Sequence, residues 1–395
     1  MRSRLDPRCA AAALGLTLVV GACAPDVDPL DYGCTELWVR EASCVDAEAV
    51  AHVVRERLWA PGEEVMGFAF ALGDAGGTLV KGACGLARTA KDGGVRVFEP
   101  DMGIESGSTS KMLTAVAALR VLELGGSGQD LQASMNDFLP TGWAPHADLA
   151  AADLRLADLM QHRSGIVNTG GIGLQPVLQD PQWFNPAWVG EFHYANHNID
   201  AVGFMTAYLY DAARLRALEL ELASQDDYDV EINLAVRDLH YEILRDLTLE
   251  PLGIDADCIR FAAADQEVWL YADGKDQRGL RLPARTNCMT SGFLLSAPDW
   301  VDWAAGLHRG ELLGPEMRDA LNRWDASGEK LGWSGGSGDL RLHGGAYSPD
   351  GVGVRTGLVY RRDGFSAAVV TNSANAENMT SIAVDVIETA TAGCD

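Results

Sequence analysis

The stretch from Glu105 to Leu124 reads ESGSTSKMLTAVAALRVLEL and joins a small polar segment to a long apolar one. Between residues 109 and 124 the apolar run is interrupted mainly by Lys111, Thr114, Arg120 and Glu123. A helix that is apolar on all sides is buried within a domain, and the glycines at 125 and 126 end it. The sequence therefore predicts a buried helix over residues 109–124.

Ser108 and Lys111 stand at the start of this predicted helix, three residues apart. Residues at i and i+3 share one face of a helix, so the lysine amine can approach the serine hydroxyl. Burial lowers the pKa of an ammonium group and makes it a base, and a helix N-terminus favours a developing oxyanion. The same S-x-x-K pattern also fits a serine N-cap followed by a surface lysine. The apolar surroundings favour a nucleophile and its base.

The rest of the chain alternates between strand and helix patterns. Apolar periodicity predicts a helix over 45–58, and two strands follow at 65–72 and 78–83, joined by a glycine-rich hairpin. Helical, acidic stretches cover 203–223 and 229–249, and residues 352–372 alternate as strands do. These patterns predict an α+β fold: an antiparallel sheet flanked by the N-terminal and C-terminal helices, with a helical lobe inserted between them.

Two short motifs accompany the serine and the lysine. Tyr194-Ala195-Asn196 offers a phenol that can relay a proton and an amide that can bind a carbonyl or the lysine. His343-Gly344-Gly345 precedes the last strands, where glycines let a backbone approach a ligand closely. Each of these two motifs, taken alone, is too common to indicate a function.

The order and spacing of the three motifs resemble the serine β-lactamase/penicillin-binding protein superfamily, in particular its class C β-lactamase-like branch of esterases, D-peptidases and β-lactamases. Linking segments strengthen the likeness: LMQHRSGI at 159–166, EPLGI at 250–254 and SGFLLSAPD at 291–299. The resemblance spans residues 45–392 and implies the β-lactamase/D,D-peptidase-like fold, with the helical lobe at roughly 127–285.

The resemblance also implies a role for each motif residue. Ser108 would be the nucleophile, Lys111 its base, and Tyr194 would share the proton transfers. Asn196 and His343 would orient the substrate. The oxyanion hole would consist of two backbone N–H groups, from Ser108 and from Ala346, which follows Gly345 at the end of the third motif.

These roles predict a serine hydrolase that works through an acyl-Ser108 ester. Small ester or amide substrates are favoured, because the third motif lacks the cation and hydroxyl with which relatives bind a carboxylate. His343, with an ordinary pKa of about 6.5, would be mostly neutral at pH 7.5. Penicillin turnover that rises only at pH 6 would indicate that His343 is the cation. A D,D-peptidase or β-lactamase is the alternative, in which the fold brings an arginine such as Arg163 or Arg341 into the cleft. A non-catalytic binding lipoprotein is a lesser alternative.

Charge and motif content exclude several other classes. The 395 residues include 31 Lys and Arg against 56 Asp and Glu, a net charge of −25, which disfavours nucleic acid and anionic lipid as partners. His193 and His197 have a zinc-binding spacing on a helix, but the adjacent glutamate of a metalloprotease motif is missing. No metal and no cofactor are predicted. The expected partner is a small ester, amide or peptide, and the oligomeric state stays open.

The amino terminus has the pattern of an export signal. Arginines at 2, 4 and 8 precede a short apolar run that ends in Val20-Gly21-Ala22-Cys23, which resembles a bacterial lipobox. This pattern predicts a signal peptide at 1–22, lipidation of Cys23, a tether and N-terminal extension at 23–44, and a hydrolase domain at 45–392 anchored in the bacterial cell envelope. An ordinary secretory signal cut near the same place is the alternative.

Six further cysteines fit an oxidising compartment, in which disulfides form. Six cysteines allow 15 pairings. Pairing of near neighbours predicts Cys34–Cys44 and Cys258–Cys288, which leaves Cys84 for Cys394.

The region 211–240 is predicted to be an acidic insertion of the helical lobe. Such an insertion either covers the cleft or presents a solvated face, and the solvated face is favoured.

Overall fold

The computed structural model describes residues 33–41, 44–60, 64–125, 130–258, 267–275, 277–282, 287–323, 330–376 and 378–392. The helices in these ranges are α1 (Ala47–Leu58), α2 (Lys111–Leu124), α3 (Ala147–Ala152), α4 (Leu156–Met160), α5 (Leu174–Gln179), α6 (Asn196–Leu222), α7 (Tyr228–Leu244), α8 (Ala297–Arg309), α9 (Pro315–Asn322) and α10 (Met379–Thr391). The strands are β1 (Trp38–Val39), β2 (Gly67–Asp74), β3 (Gly77–Arg88), β4 (Arg96–Val97), β5 (Ile104–Glu105), β6 (Ser164–Ile166), β7 (Phe184–Val189), β8 (Leu294–Leu295), β9 (Gly335–Ser337), β10 (Leu340–Tyr347), β11 (Val354–Arg361) and β12 (Ser366–Thr371). None of the described helices is long and apolar enough to cross a membrane.

The main sheet is antiparallel, in the order β1-β3-β2-β12-β11-β10-β9, with β4 paired to β3. Side chains of a strand alternate between the two faces of the sheet, so neighbouring residues enter different cores. In β2, Phe68 and Phe70 face a core shared with α1 and α10, whereas Ala69 and Ala71 face the larger core. The small residues on that second face let α8 pack closely across β2, β3 and β12.

The predicted α+β fold is confirmed, with the N-terminal and C-terminal helices on one face of an antiparallel sheet. The helix predicted over 45–58 is α1, and the one over 109–124 is α2, which begins at Lys111 after a 3₁₀ turn (Gly107–Ser110). Helices α3 to α7 fall inside the range 127–285 predicted for the inserted lobe. The limits of that lobe, and the boundaries at 23–44 and 45–392, stay predictions.

Helices α6 and α7 pack against each other as a hairpin within the lobe. Most residues of the acidic segment 225–229, which spans the end of their connection and the start of α7, are exposed. None of the residues 211–240 lines the cleft described below. The acidic segment is therefore exposed to solvent and does not line this cleft, whereas the status of the region 211–240 as an insertion stays a prediction.

The disulfides correct part of the predicted pairing. Cys258 is bonded to Cys288, as predicted, but Cys34 is bonded to Cys84 and not to Cys44. The reason is strand pairing: the segment before β1 lies antiparallel to β3, which sets Cys34 directly opposite Cys84. The predicted Cys84–Cys394 bond is thereby wrong, and Cys44 is disulfide-bonded as well. Cys394, the signal segment 1–22, Cys23 and the tether up to residue 30 lie outside the described residues.

Candidate active site

Ser108 lies in the 3₁₀ turn between β5 and α2, half-buried at the edge of a cleft. Gly107 precedes it with φ +52°, and a Cβ atom there would lie 2.6 Å from the backbone nitrogen of Ala346. Glu105 fixes the turn, because its buried Oε1 accepts hydrogen bonds from the backbone N–H groups of Gly107 (3.0 Å) and Gly292 (2.9 Å). The turn is therefore held tightly against β10.

Lys111 is buried, with 1% of its surface exposed. Its Nζ donates to Ser108 Oγ at 2.8 Å and to the carbonyl oxygen of Thr290 at 2.9 Å. The alternative of a serine N-cap with a surface lysine is wrong, because Lys111 faces the interior and the N-cap residue of α2 is Ser110, whose side chain makes no cap bond. The i, i+3 spacing brings the two side chains together as predicted.

The pKa of Lys111 is lowered from 10.5 to about 7, chiefly because burial disfavours the ammonium form. The carboxylates of Asp200 and Glu105 act in the opposite direction and raise this pKa. A substantial fraction of the amine is therefore neutral near pH 7, and this fraction rises with pH. In that form it can accept a proton.

Tyr194 approaches Ser108 from the segment before α6. Its hydroxyl donates to Ser108 Oγ at 2.8 Å, and Lys111 Nζ lies 5.3 Å from the centroid of its ring. Burial raises the pKa of the Tyr194 phenol, an effect that the hydrogen bond with Ser108 partly offsets. The phenol is therefore protonated near neutral pH and acts as a donor to the serine oxygen.

Asn196 begins α6 and lies beside Tyr194, whose hydroxyl donates to its Oδ1 at 3.4 Å. Its backbone N–H donates to Asn168 Oδ1 at 3.0 Å. Among the described residues its side chain has no hydrogen bond with Lys111. Of the two roles suggested for this amide, contact with the lysine is thus not seen in the free protein.

His343 is buried beneath the cleft on β10, and its Nδ1 lies 3.0 Å from the carbonyl oxygen of Gly344. Burial, followed by the nearby charge of Lys111, lowers its pKa to about 3. An imidazole with this pKa is neutral at pH 6 as well as at pH 7.5. A buried imidazole beside an ammonium group stays neutral across the whole neutral range.

Gly345 and Ala346 form the edge of β10 that faces the serine turn. A Cβ atom on Gly345 would lie 2.2 Å from the carbonyl oxygen of Ser106, so only glycine fits there. The carbonyl of Leu342 accepts from Ser334 on the side of β9, away from β11. Strand alternation gives Ala346 the same orientation. Its N–H therefore points toward the Ser108 turn.

The cleft has a volume of about 430 Å³ and joins the three motifs. Its lining comprises Ser108, Tyr194, Ser334, His343, Gly344, Gly345, Ala346, Arg355, Thr356, Ala376, Asn378 and Met379. Residues from the serine turn, from β10 and β11, and from the start of α10 meet here. The sheet and the two helices α2 and α10 thus position the candidate site.

Arg355 supplies a cation at the cleft that the sequence analysis missed. Its Nη1 donates to Ser348 Oγ (2.6 Å) and to the carbonyl of Val354 (3.2 Å), both uncharged groups. The two arginines named from the sequence lie elsewhere. Arg341 is buried and donates to the carbonyl of Asn322, and Arg163 Nε donates to that of Gly190.

His162 packs against Tyr194 and fixes the loop that carries it. Its ring centroid lies 4.5 Å from that of Tyr194, and its Nδ1 accepts from the backbone N–H of Ala195 at 3.3 Å. Burial lowers the pKa of His162 to about 3. The imidazole is therefore a neutral acceptor that fixes the Tyr194 segment.

Residues 51–203 match the Beta-lactamase family model, a range that includes Ser108, Lys111, Tyr194 and Asn196 but not the third motif. Solved structures with similar folds cover most of the chain. The octameric penicillin-binding protein homologue from Pyrococcus abyssi has a TM-score of 0.65 at 16% identity, over 87% of this chain and 76% of that one. The chain has the fold of the serine β-lactamase and penicillin-binding protein superfamily. The fold that the motif resemblance implied is thereby confirmed.

Two further structures with this superfamily fold carry hydrolase names. EstCE1, a hydrolase with promiscuous acyltransferase activity, has a TM-score of 0.64 at 13% identity, over 87% of this chain and 98% of that one. The D-alanine carboxypeptidase AmpC from Burkholderia cenocepacia has a TM-score of 0.62 at 16% identity, over 87% of this chain and 100% of that one. No curated protein matches the sequence. This fold thus occurs both in a hydrolase with acyltransferase activity and in a D-alanine carboxypeptidase.

Proposed function

We propose that this protein is a serine hydrolase that acts by acyl transfer through an acyl-Ser108 ester, on small ester or amide substrates. The observation that carries the proposal is the convergence on one oxygen. Lys111 Nζ and Tyr194 Oη each lie 2.8 Å from Ser108 Oγ, which borders an open cleft. A nucleophile within hydrogen-bond distance of a buried amine base is the arrangement that covalent catalysis needs.

In the acylation step, neutral Lys111 accepts the proton of Ser108 while Oγ attacks the carbonyl carbon of the substrate. The carbonyl oxygen becomes an oxyanion, held by the N–H groups of Ser108 and Ala346. As the bond to the leaving group breaks, the Tyr194 hydroxyl gives its proton to that group and is reprotonated by the Lys111 ammonium. Loss of one such oxyanion donor costs about 3–4 kcal/mol in a well-studied protease.

In the deacylation step, a water molecule attacks the acyl ester at the same carbonyl carbon. The proton of the water passes through Tyr194 and Lys111 back to Ser108 Oγ as the acid leaves. The return of this proton restores the starting state of the site, and both half-reactions use the same oxyanion donors.

The side chains of the third motif favour neutral substrates. His343 is uncharged at neutral pH, and Gly344 offers no hydroxyl group. A charge-assisted hydrogen bond contributes roughly 1.5–3 kcal/mol, and a carboxylate bound here would lack it. The net charge of −25 also slows the approach of anions at low salt. Short neutral esters need neither a cation nor a hydroxyl group in the third motif.

Arg355 supports a second candidate function, a D,D-peptidase or β-lactamase. It lines the same cleft as Ser108, and it donates to two neutral oxygens, Ser348 Oγ and the carbonyl of Val354. A guanidinium held in this way can pair with a carboxylate of a cell-wall peptide or a β-lactam. The choice between the two functions therefore depends on whether Arg355 reaches the bound substrate.

We predict that kcat/KM for p-nitrophenyl butyrate exceeds that for benzylpenicillin by at least about tenfold at pH 7.5. The reason is that the third motif lacks the cation and the hydroxyl group that would bind a carboxylate. The ratio should stay the same at pH 6, because His343 does not become a cation there. Steady-state rates for both substrates at the two pH values measure it.

Arg355→Gln decides between the two candidates, with Arg361→Gln as the matched control. Arg361 lies on the same strand but pairs with Asp363 and does not line the cleft. If penicillin is the better substrate and loses this advantage in Arg355→Gln alone, the esterase proposal falls and the second candidate replaces it. An unchanged preference for the ester in both variants supports the esterase.

The lesser alternative, a binding lipoprotein without catalysis, predicts no turnover of either substrate. The intact contacts among Ser108, Lys111 and Tyr194 argue against it. Burial of a lysine amine lowers its pKa. A protein that only binds has no need for such an amine beside a serine hydroxyl.

We further propose that the protein is lipid-anchored in the bacterial cell envelope through Cys23. The lipobox-like Val20-Gly21-Ala22-Cys23 supports this, and the Cys34–Cys84 and Cys258–Cys288 disulfides fit a compartment outside the cytoplasm. The wild-type protein expressed in a bacterium should partition into detergent, and Cys23→Ser should release it or leave the signal uncut. A processed wild-type protein that stays entirely in the aqueous phase would show the lipobox interpretation to be wrong.

A further inference from the structure

A buried ion pair lies between α6 and α7 of the inserted lobe, near Lys111 at the start of α2. Asp200 on α6 and Arg237 on α7 each have 8% of their side chain exposed, and Arg237 Nη1 lies 3.6 Å from Asp200 Oδ1. The guanidinium also lies over the ring of Phe204, 5.7 Å from its centroid. Burial of two charges is costly, and removing one partner leaves the other uncompensated.

Hydrogen bonds connect this pair to the candidate base. Asn287 Nδ2 donates to Asp200 Oδ1 and to Thr290 Oγ1, both at 3.0 Å. The carbonyl oxygen of the same Thr290 accepts from Lys111 Nζ at 2.9 Å. The Cys258–Cys288 disulfide holds the segment that carries these residues. One short segment thus contacts the ion pair on one side and the lysine on the other.

We propose that Asp200 and Arg237 are positioning residues that set the charge state of Lys111, Asp200 by its negative charge and Arg237 by offsetting that charge. The inference rests on the proposed function, in which Lys111 is the base. It assigns a role to the inner face of the lobe, whose outer face is acidic and solvated.

The charged and titratable groups around Lys111 come from several elements. They are Glu105 from β5, His162 after α4, Tyr194 before α6, Asp200 on α6 and His343 on β10. The two histidines are uncharged near neutral pH and the phenol is protonated. The carboxylates of Glu105 and Asp200 are therefore the groups that favour the ammonium, and Arg237 is the cation paired with one of them.

The two single substitutions should shift the pKa of Lys111 in opposite directions. Asp200→Asn removes a negative charge, keeps an oxygen that accepts from Asn287, and lowers the pKa of Lys111. Arg237→Met leaves Asp200 uncompensated and raises the pKa of Lys111. Each shift should be about one pH unit, as for charges that interact in a partly buried site. In the double variant Asp200→Asn/Arg237→Met the two opposite shifts should largely cancel.

The experiment measures the rate of phosphonylation of Ser108 by a fluorophosphonate probe between pH 5 and pH 10. Wild type should show a midpoint near pH 7, Arg237→Met a higher one and Asp200→Asn a lower one. Arg214→Met is the matched control, because Arg214 lies in the same lobe but pairs with Glu242 in the exposed region. Its midpoint should equal that of the wild type.

Unmoved midpoints in both single variants, or shifts in the same direction, overturn the inference. A purely structural role for the pair would lower the rate at every pH without moving the midpoint, and this result also overturns it. If Arg237→Met does not fold, Arg237→Gln takes its place and Arg237→Lys, which keeps the charge, should retain the wild-type midpoint. Absence of labelling in the wild type at all pH values refutes the proposed function instead.

Discussion

Replacing Lys111 with methionine should lower kcat/KM for p-nitrophenyl butyrate by at least about a thousandfold, because the base and its hydrogen bond to Ser108 are lost together. Methionine fills a similar volume, so the apolar surroundings of α2 are kept. Lys275→Met is the control, since Lys275 is 88% exposed on its side chain and removal of the same charge there should leave the rate unchanged. Steady-state kinetics of both variants check the prediction.

The same substitution should change how stability depends on pH. The pKa of Lys111 is about 7 in the folded protein and 10.5 in the unfolded chain, so the unfolded chain binds more protons between these values. The unfolding free energy of the wild type therefore rises with pH across this window, and the variant lacks this rise. Denaturant unfolding at pH 6 and pH 10 should show the advantage of the variant shrinking by roughly 4 kcal/mol.

A difference in stability between wild type and variant that is independent of pH would contradict the lowered pKa. A loss of activity smaller than about tenfold, in a variant that unfolds cooperatively, would contradict the role of Lys111 as the base. The two readouts are separate, because the first concerns the burial of the amine and the second concerns its chemistry.

Gly107→Ala should lower kcat by roughly a hundredfold or more, with little change in KM. The added Cβ would lie 2.6 Å from the backbone nitrogen of Ala346 and 3.0 Å from the carbonyl carbon of Gly345. The serine turn and β10 must then separate, and the two proposed oxyanion donors no longer face one point. Because these donors act on the developing charge, the loss falls on the chemical step.

Gly93→Ala is the matched control for backbone strain. Gly93 also has a positive φ, of +93°, but a Cβ there would meet no atom within 4 Å. An alanine with a left-handed backbone conformation should lower the stability of both variants, but only Gly107→Ala should lose activity. Equal activity losses in the two variants, or none in either at matched stability, would contradict the placement of the oxyanion hole.

The local part of this site could be predicted from the sequence, because local spacing determines it. Ser108 and Lys111 share a helical face at i and i+3, and the apolar run after them predicts their burial. The sheet and its flanking helices follow from period-two and helical patterns. Tyr194 and His343 are separated from Ser108 by long stretches, and only the order of motifs in related proteins indicated that they meet.

The remaining contacts depend on tertiary packing that no local pattern encodes. Cys34 pairs with Cys84 because strand pairing places them opposite each other, 50 residues apart. Arg355 enters the cleft because β11 lies beside β10. Asp200 could have been noticed as a carboxylate within the apolar start of α6, but its partner Arg237 lies on another helix. A buried charge in an apolar segment is therefore the signal that merits attention in such a sequence.

The central claim, that Ser108 is the nucleophile of an acyl-transfer enzyme, is tested most directly by fluorophosphonate labelling followed by peptide mass spectrometry. The account predicts one phosphonylated residue, Ser108, with no label in Ser108→Ala and almost none in Lys111→Met. The neighbouring serines at 106 and 110 should stay unmodified, since both are buried and neither bonds to the lysine amine. Label on another serine, or label that survives Ser108→Ala, would contradict the claim.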